Sequence, residues 1–368
     1  MNRKYLLLIS VSVLLCACKS GTQFQPEDGI MELASYIDVH ETPHSYNVRI
    51  ANPWKKGTLL HTYTFTDSLP SDYSFNRNVN TVQVPLQRVV VMTNSLAHLM
   101  VELGVEDCIA GVCEPEYISD TLICARLADG SITDCGNSMY PTIEKIMELN
   151  PDAIMVSPFE QTGYGQLEKL GLPLLECADY METSPLARAE WIRFYGRLFG
   201  AADRADSLFI QVRNKYHALC DLAAKTPHQP KVMLDTKSGS AWYVAGGGST
   251  IGRMIADARG TYIFADNENS GSVPLSFETV FDKAQDADVW LLKNSNSNVL
   301  TYRLLESDFR QYSSFKPFKE KNIWVCDVNQ VPYFELSAFH PELLLADFMA
   351  IFHPELSHSM SFYHPLDE

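Results

Sequence analysis

Apolar and polar side chains alternate through residues 44–66, on both sides of a polar turn at Asn52–Gly57. Alternation with a period of two is the pattern of a strand with one buried face, and Pro and Gly between two such runs favour a turn. The pattern predicts a β-hairpin, with extended chain continuing to Pro85. We expect residues 44–87 to form a β appendage that packs on the domain that follows.

The pattern changes after this appendage to short apolar runs separated by helical spacing. Val89–Met92 is an apolar run, Leu96–Leu103 has helical spacing after a polar loop, and Ile109–Val112 is the next apolar run. Strands that alternate with helices are typical of a parallel α/β sheet. Residues 88–184 are therefore predicted to form a first α/β lobe.

The same plan returns in the second half of the chain. Val232–Asp235 is a predicted strand, apolar as far as Leu234, and is followed by a Gly-rich loop and by helical spacing from Thr250 to Ala258. Residues 141–156 and 274–289 also match in detail, because each segment has a Pro, then a Glu, then Asp-Ala, then an apolar run at equivalent spacing. This repetition predicts a structural duplication, with the second α/β lobe at residues 228–368.

Residues 185–227, between the two halves, have helical spacing. Ser184 followed by Pro185 is typical of a helix start, and the pattern breaks at Gly200 before it resumes at residues 202–224. About 20 residues at 1.5 Å each give a rod of roughly 30 Å. We expect this helical segment to hold the two lobes at a nearly fixed separation.

The first 17 residues have the pattern of a secretory signal peptide. Arg3 and Lys4 precede an apolar run from Tyr5 to Ala17, which is shorter than the roughly 20 residues that span a bilayer. No later stretch is long and apolar enough to do so. Residues 1–17 are therefore predicted to be removed from an exported, periplasmic protein.

The end of this segment, Leu15-Cys16-Ala17-Cys18, resembles the lipobox of bacterial lipoproteins. The resemblance implies that Cys18 becomes the lipidated N-terminus and that the lipid is the sole membrane anchor. An ordinary signal peptide with incidental cysteines is the alternative. Residues 18–43 are predicted to be a flexible tether.

Charge and cysteine content exclude some classes of function. The formal net charge is −16, and an acidic surface repels nucleic acid and anionic lipid headgroups, although solubility alone would also explain it. Beyond Cys18, no C-x-x-C spacing indicates a zinc site or a disulfide framework. Buried free thiols are favoured, and one disulfide among four cysteines is the alternative: Cys108, Cys113, Cys124 and Cys135.

From Arg88 to about His353 the chain resembles the periplasmic binding proteins of iron-siderophore, haem and vitamin B12 importers. The resemblance rests on the order and spacing of six short motifs: Arg88-Val-Val-Val, Leu103-Gly followed by Ile109-Ala-Gly-Val, Pro141-Thr-Ile-Glu-Lys-Ile, Leu149-Asn-Pro-Asp-Ala, Leu170-Gly-Leu-Pro and Leu275-Ser-Phe-Glu. Residues 52–54 and 176–186 are most similar to the lipoprotein members found in Bacteroidetes. The resemblance implies two Rossmann-like lobes joined by one long helix, a monomer that binds its cargo without catalysis, and an ABC permease dimer as partner.

In that family each lobe presents one surface glutamate to an arginine pocket of the permease, and the matching positions are Glu144 and Glu278. Exposed carboxylates on two rigid lobes would give charge-complementary docking. The alternative is that both are ordinary acids in the first turn of a helix, stabilised by the helix dipole.

Ligands of doubly wound sheets bind beyond the C-terminal ends of the strands, so the loops at those ends are predicted to line a cleft between the lobes. The candidate ligand-binding residues are Thr93, Asn94, Ser95, Glu116, Tyr117, Tyr140, Phe159, Tyr164 and Tyr180 in the first lobe, and Trp242, Tyr243, Gly247, Asn294, Tyr333, Phe339 and His340 in the second.

Many of these residues are aromatic, with Asn, Ser and Glu between them and no cluster of arginines. This set favours a large, flat or partly apolar cargo. We expect a cobalt corrinoid first, with haem or a ferric siderophore as alternatives. His340 is a candidate axial ligand to cobalt or iron, or a loop histidine held by hydrogen bonds.

Two other classes remain as alternatives. A binding protein for free zinc or manganese would need three or four His and carboxylate ligands from both lobes, and no predicted first-lobe cleft loop contains His. An α/β enzyme would need a catalytic motif, and no G-x-x-x-x-G-K-[ST], G-x-S-x-G or H-E-x-x-H occurs. Glu114 and Glu116 are the acids that could serve acid–base chemistry. A purely structural lipoprotein would leave the duplicated lobes unexplained.

Overall fold

The computed structural model describes residues 29–69, 80–160, 163–296, 298–356 and 358–368. Its first sheet has four strands in the order β1-β2-β3-β4: β1 (Ile37–Thr42), β2 (Ser45–Ala51), β3 (Leu59–Thr66) and β4 (Thr81–Gln83). β1, β2 and β3 pair antiparallel, and β4 pairs parallel to β3. The predicted hairpin is therefore confirmed as β2 and β3. The Tyr63 hydroxyl donates to the carbonyl of Leu174 at 2.9 Å, which fastens the appendage to the first lobe.

The tether predicted at residues 18–43 is too long. Residues 18–28 lie outside the described residues, but from Gly29 onward the chain is part of the fold and contains β1. The fully buried carboxylate of Glu190 accepts the backbone N–H groups of residues 32–34 at 2.7 to 2.8 Å. The sequence did not show this anchor, because its acceptor lies more than 150 residues away.

The first lobe contains a parallel sheet in the order β7-β6-β5-β8-β9, flanked by short helices. Its elements are β5 (Val89–Val91), α1 (Asn94–Glu102), β6 (Ile109–Val112), α2 (Thr121–Ala128), β7 (Thr133–Asp134), α3 (Ile143–Leu149), β8 (Ala153–Val156) and β9 (Leu174–Glu176). Nearly every residue of β5, β6, β8 and β9 is buried, as expected of a parallel sheet covered on both faces.

Two helices, α4 (Pro185–Leu198) and α5 (Ala202–Ala223), lie between the lobes. The long helix that the sequence predicts is confirmed as α5. The chain reverses direction at Gly200, where φ is 71°, so α4 packs against α5 rather than extending it. Both terminal nitrogens of Arg197 donate to Asp206 at 3.0 and 3.1 Å, and a Cβ on Gly196 would lie 2.2 Å from that of Ala205. The linker is therefore a close pair of helices.

The second lobe contains a sheet in the order β13-β10-β15-β16-β17, in which only β17 is antiparallel, and a small antiparallel sheet in the order β11-β12-β14. Its elements are β10 (Lys231–Leu234), β11 (Lys237–Ser238), β12 (Ala241–Ala245), α6 (Thr250–Asp257), β13 (Thr261–Tyr262), β14 (Ser272–Leu275), α7 (Phe277–Ala284), β15 (Val289–Asn294), α8 (Tyr302–Asp308), α9 (Lys316–Lys319), β16 (Ile323–Asp327), α10 (Tyr333–Leu336), α11 (Pro341–Phe352) and β17 (His364–Pro365).

The two lobes repeat one arrangement. In the first, α3 leads into β8, which pairs with β5; in the second, α7 leads into β15, which pairs with β10. Glu144 and Glu278 lie in the first turns of α3 and α7, and both are exposed. The duplication inferred from the sequence is therefore present in the structure.

One segment of the second lobe crosses to the first. Residues 333–340, which we call the interlobe strap, contain α10 and the turn before α11. Phe339 has 1% of its surface exposed and packs in the first-lobe core, its ring centroid 5.8 Å from that of Tyr195. Glu335 accepts the backbone N–H of Ser119 at 2.8 Å. The lobes are therefore joined by the helix pair and by the strap.

Across the part of the chain that the structure describes, no helix has both the length and the apolar surface that crossing a bilayer requires. The seven cysteines in that part carry free thiols, and four of them are buried: Cys113, Cys135, Cys177 and Cys326. Burial raises the pKa of Cys113 to about 12 and that of Cys326 to about 12. Both thiols are therefore protonated at neutral pH.

Candidate ligand-binding site

A cavity of about 860 Å³ opens where the strands of the first-lobe sheet end. Met92 follows β5, Glu114 follows β6 and Ser157 follows β8, so three neighbouring strands supply its floor. Ligand sites of doubly wound sheets occupy this position because the loops there converge. The cavity therefore lies where the strand pattern places a binding site.

Six of the nine first-lobe candidates line this cavity: Thr93, Asn94, Ser95, Tyr140, Phe159 and Tyr164. Thr93 is the N-cap of α1, and the next two residues form its first turn, so the polar loop lies at the cavity because β5 ends there. Contact of these residues with a ligand stays a prediction.

Aromatic side chains form the rim of the cavity. Tyr140 is 85% exposed and Phe159 is 47% exposed, values that are high for large rings in a folded protein. The ring centroid of Phe159 lies 6.2 Å from that of Tyr180. The hydroxyl of Tyr180 donates to the carbonyl of Pro158, and burial raises its pKa to about 12. Tyr180 therefore supports the rim from behind rather than lining the cavity.

Tyr164 is held at one wall by its hydroxyl, which donates to Oε1 of Glu176 at 3.0 Å. Burial, followed by the negative charge of Glu176, raises the pKa of Tyr164 well above its usual value. The hydroxyl stays protonated and bonded to the protein. The ring is what Tyr164 offers to a ligand.

Phe334, on α10 of the interlobe strap, is the one second-lobe residue among the described residues that line the cavity. It is 59% exposed, and its ring centroid lies 5.2 Å from that of Tyr333. The sequence predicts Tyr333 as a ligand contact, but the structure places its neighbour Phe334 in the cavity lining. The cleft is consequently asymmetric: most of its wall belongs to the first lobe.

Comparison with known proteins defines the family. The model of the periplasmic binding protein family matches residues 89–329, which contain the first lobe, the helices between the lobes and most of the second lobe. The chain belongs to this family. Its members are solute-binding proteins and not enzymes, so this periplasmic binding protein has a cargo rather than a substrate to convert.

Three similar proteins illustrate the range of relatives. An uncharacterized lipoprotein of Methanocaldococcus jannaschii is 29% identical over 76% of this chain and 68% of its own length. A cobalamin-binding protein of Halobacterium salinarum is 27% identical over 55% of this chain and 53% of its own. The structure of the periplasmic heme-binding protein RhuT from Roseiflexus sp. RS-1 superposes with a TM-score of 0.59 and 24% identity, and covers 74% of this chain and 99% of its own.

Several second-lobe candidates of this binding protein lie in the core rather than at the cavity. Trp242 has no exposed surface: its indole N–H donates to the carbonyl of Leu234 at 3.1 Å, and its ring stacks on Trp290. Asn294 is 4% exposed, and its side-chain amide donates to Asp327 at 2.6 Å. The strand pattern shows where each strand ends, but not which side chain turns into the core.

Phe339 and His340 also lie away from the cavity, in the interface between the lobes. Phe339 is in the first-lobe core. Nε2 of His340 lies 2.8 Å from Glu102 of α1, and Nδ1 lies 3.1 Å from Glu342. Burial lowers the pKa of His340, but the two carboxylates more than offset this and raise it to about 9. Both ring nitrogens are hydrogen-bonded to carboxylates, so neither is free in this arrangement to coordinate a metal ion of the cargo.

The remaining candidates lie outside the cavity lining. Gly247 packs against another loop. A Cβ at this position would lie 2.5 Å from the carbonyl oxygen of Ala265, so close packing requires a glycine here. Glu116, Tyr117 and Tyr243 are exposed. They therefore remain predictions only for a ligand that extends beyond the cavity.

The charges around the cavity were only partly foreseen. Glu114 is one of the acids that the sequence offers for acid–base chemistry, and in the structure its Oε1 accepts hydrogen bonds from Asn137 at 2.8 Å and from Ser138 at 3.1 Å. Glu144 lies at the rim, and Arg188 enters from α4. Arg188 was missed because it lies in a helix rather than a strand-end loop. Among the described residues, no group of three or more His, Cys, Asp and Glu side chains could hold a metal ion.

Proposed function

We propose that this periplasmic binding protein captures a bulky metal chelate and delivers it to the permease of an ABC importer. The observation that carries the proposal is the open cavity of about 860 Å³ at the strand ends, with exposed aromatic rings at its rim. Concave, mostly apolar sites with a few placed polar groups are typical of small-molecule binding.

A cobalt corrinoid is the first choice of cargo. The apolar side chains Met92, Met139, Tyr140, Phe159 and Phe334 can cover a large macrocycle, and the polar groups of the first-lobe loops can bind its amides. The cobalamin-binding relative supports this choice. Haem is the next candidate, in keeping with the heme-binding neighbour, and a ferric siderophore follows.

A thermal-shift screen tests the proposal. The purified protein is melted with cobalamin, cobinamide, hemin and several ferric siderophores, each at a concentration well above micromolar. A ligand at 100 times its Kd stabilises the native state by about 2.7 kcal/mol, which corresponds to a rise of several degrees in Tm. A melting temperature that no chelate raises would contradict the proposal.

Docking to the permease is assigned to Glu144 and Glu278. Both carboxylates are exposed in the first turns of equivalent helices, α3 and α7, on two lobes that the linker and the strap hold together. Hydrogen bonds from its own backbone N–H and from Ser276 lower the pKa of Glu278, so it is ionised at neutral pH. Two fixed negative charges suit an oriented encounter with a cationic surface.

The lipid anchor at Cys18 also belongs to this proposal. The residue lies outside the described residues, so its support is the lipobox resemblance and the relative named as a lipoprotein. Labelling cells with a fatty acid should mark the wild-type protein and leave Cys18→Ser unmarked and released from the membrane. Equal labelling of the two would contradict the assignment.

A further inference from the structure

Arg188 is the one cation among the described residues that line the cavity. It lies in the first turns of α4, and 28% of its side chain is exposed. The rest of the cavity wall is apolar, neutral and polar, or acidic, so Arg188 is the residue of the wall that can attract an anionic group of a ligand.

The guanidinium is held in one orientation from behind. Its Nε donates to Oδ2 of Asp179 at 3.1 Å, and Oδ1 of Asp179 accepts the hydroxyl of Tyr195 at 2.8 Å. Asp179 is 7% exposed and Tyr195 is fully buried. Burial raises the pKa of Tyr195 far above its usual value, so it remains a donor. A side chain oriented in this way loses little conformational freedom when a ligand binds.

The terminal nitrogens of Arg188 are available. Neither donates a hydrogen bond to any residue in the described part of the chain, whereas a guanidinium has five N–H donors arranged to match the two oxygens of a carboxylate or phosphate. The side chain thus directs unsatisfied, charge-assisted donors toward the cavity.

The charges of the cavity are separated across the sheet. Glu114 follows β6, and Glu144, the other acid of the lining, is on α3, which packs against β6. Asp179, which holds Arg188, comes shortly after β9, and β5 and β8 lie between β6 and β9. Three strand spacings separate β6 from β9 by roughly 14 Å. An anionic group is repelled at the Glu114 side and attracted at the Arg188 side, so a ligand with one acidic edge has one favoured orientation.

We propose that Arg188 binds an acidic group of the cargo and thereby selects chelates that carry a carboxylate or phosphate at one edge. This inference rests on the proposed function and narrows it. The same chemistry is supplied by two sources: the phosphodiester of a complete corrinoid and the propionate carboxylates of haem.

Paired ligands test the inference and distinguish the two sources. Titrations followed by absorbance compare cobalamin with cobinamide, which lacks the phosphodiester, and hemin with its dimethyl ester. Arg188→Ala should weaken binding of the acid-bearing member of the preferred pair roughly 10- to 100-fold and change binding of its partner by less than about threefold. Arg188→Lys keeps the positive charge but loses the paired N–H donors of the guanidinium. Its affinity for the acid-bearing ligand should lie between those of the wild type and Arg188→Ala.

Matched controls separate binding from folding. Arg303→Ala removes the same charge at an exposed position of α8 outside the cavity lining and should bind as wild type does. A general packing defect in Arg188→Ala would weaken both members of a pair equally, and that result would overturn the inference, as would unchanged affinity for the acid-bearing member. If the wild-type protein binds neither pair, the inference fails. The proposed function fails as well if no ferric siderophore raises the melting temperature in the thermal-shift screen.

Discussion

The carboxylate of Glu335, in the second lobe, accepts the backbone N–H of Ser119, in the first lobe, at 2.8 Å, and also that of Asp120 at 3.2 Å. Glu335 is 3% exposed, so these bonds lie in a region largely closed to water. The bonds fix the interlobe strap to the start of α2. Since Phe334 precedes Glu335 on α10, the same contact positions the one described second-lobe residue that lines the cavity.

Replacing Glu335 with Ala should loosen this attachment. Two N–H groups would lose a charged acceptor, and such bonds contribute about 1.5–3 kcal/mol each before relaxation. We expect the free energy of unfolding to fall by about 2–3 kcal/mol and amide hydrogen exchange to accelerate at residues 119–122. Glu306→Ala, at an exposed position of α8, is the control. Equal exchange in Glu335→Ala and wild type would show that the strap is held by other contacts.

The pH dependence of stability should reveal the His340 contact between the lobes. Its folded pKa is about 9, above the unfolded value near 6.5, so the protonated side chain stabilises the native state fully below pH 6.5. That stabilisation, on the order of 3 kcal/mol, is lost as pH rises through 9. Urea unfolding of wild type and His340→Gln between pH 6 and 10 measures it. The difference between the two proteins should shrink with rising pH, and a constant difference would contradict the assignment.

The buried Glu190 should be necessary for the position of the N-terminal segment. Its carboxylate accepts three backbone N–H groups, and Gln would place an N–H₂ group against at least one of them. We expect Glu190→Gln to destabilise the protein by about 2–3 kcal/mol and to expose residues 29–36 to proteolysis. Glu32→Gln, which alters the side chain but not the backbone donor, should change little. Protection of residues 29–36 in Glu190→Gln would refute this role.

Charge reversal tests the docking assignment in cells that depend on this importer. Glu278→Lys should lower uptake at least tenfold and leave ligand affinity unchanged, because Glu278 does not line the cavity and opposed like charges cost several kcal/mol. Glu144→Lys should also lower uptake, but its affinity must be measured separately, since Glu144 lies at the cavity rim. Glu306→Lys serves as the control. Full uptake by Glu278→Lys would remove that residue from the permease interface.

The sequence predicted the architecture because local patterns encode it. Runs such as Val89–Met92 and Ile109–Val112 are apolar on both faces, and the spacing of Pro, Glu and Asp-Ala repeats between the lobes. The first-lobe site followed from this, because Thr93–Ser95 must lie where β5 ends. Strand order within each lobe also agrees with a doubly wound sheet.

Contacts between distant segments determine which side chains face the cavity, and the sequence pattern does not show these contacts. His340 looked free in a loop, but its partner Glu102 lies more than 200 residues away. Trp242 has the alternating pattern of a half-buried strand, but a cluster of aromatic rings from distant elements covers it. Arg188 lies at the cavity but belongs to a linker helix, and Phe334 lies there but belongs to the strap. A prediction based on the loops that follow strands includes neither of them.

The central claim is that the cargo occupies the first-lobe cavity. Isothermal titration with the chelate that gives the largest thermal shift should show one ligand per chain for the wild type. Ser157→Trp, which fills the cavity where β8 ends, should show no detectable binding, whereas Ser307→Trp on the exposed face of α8 should bind as wild type does. Undiminished affinity in Ser157→Trp would contradict the account.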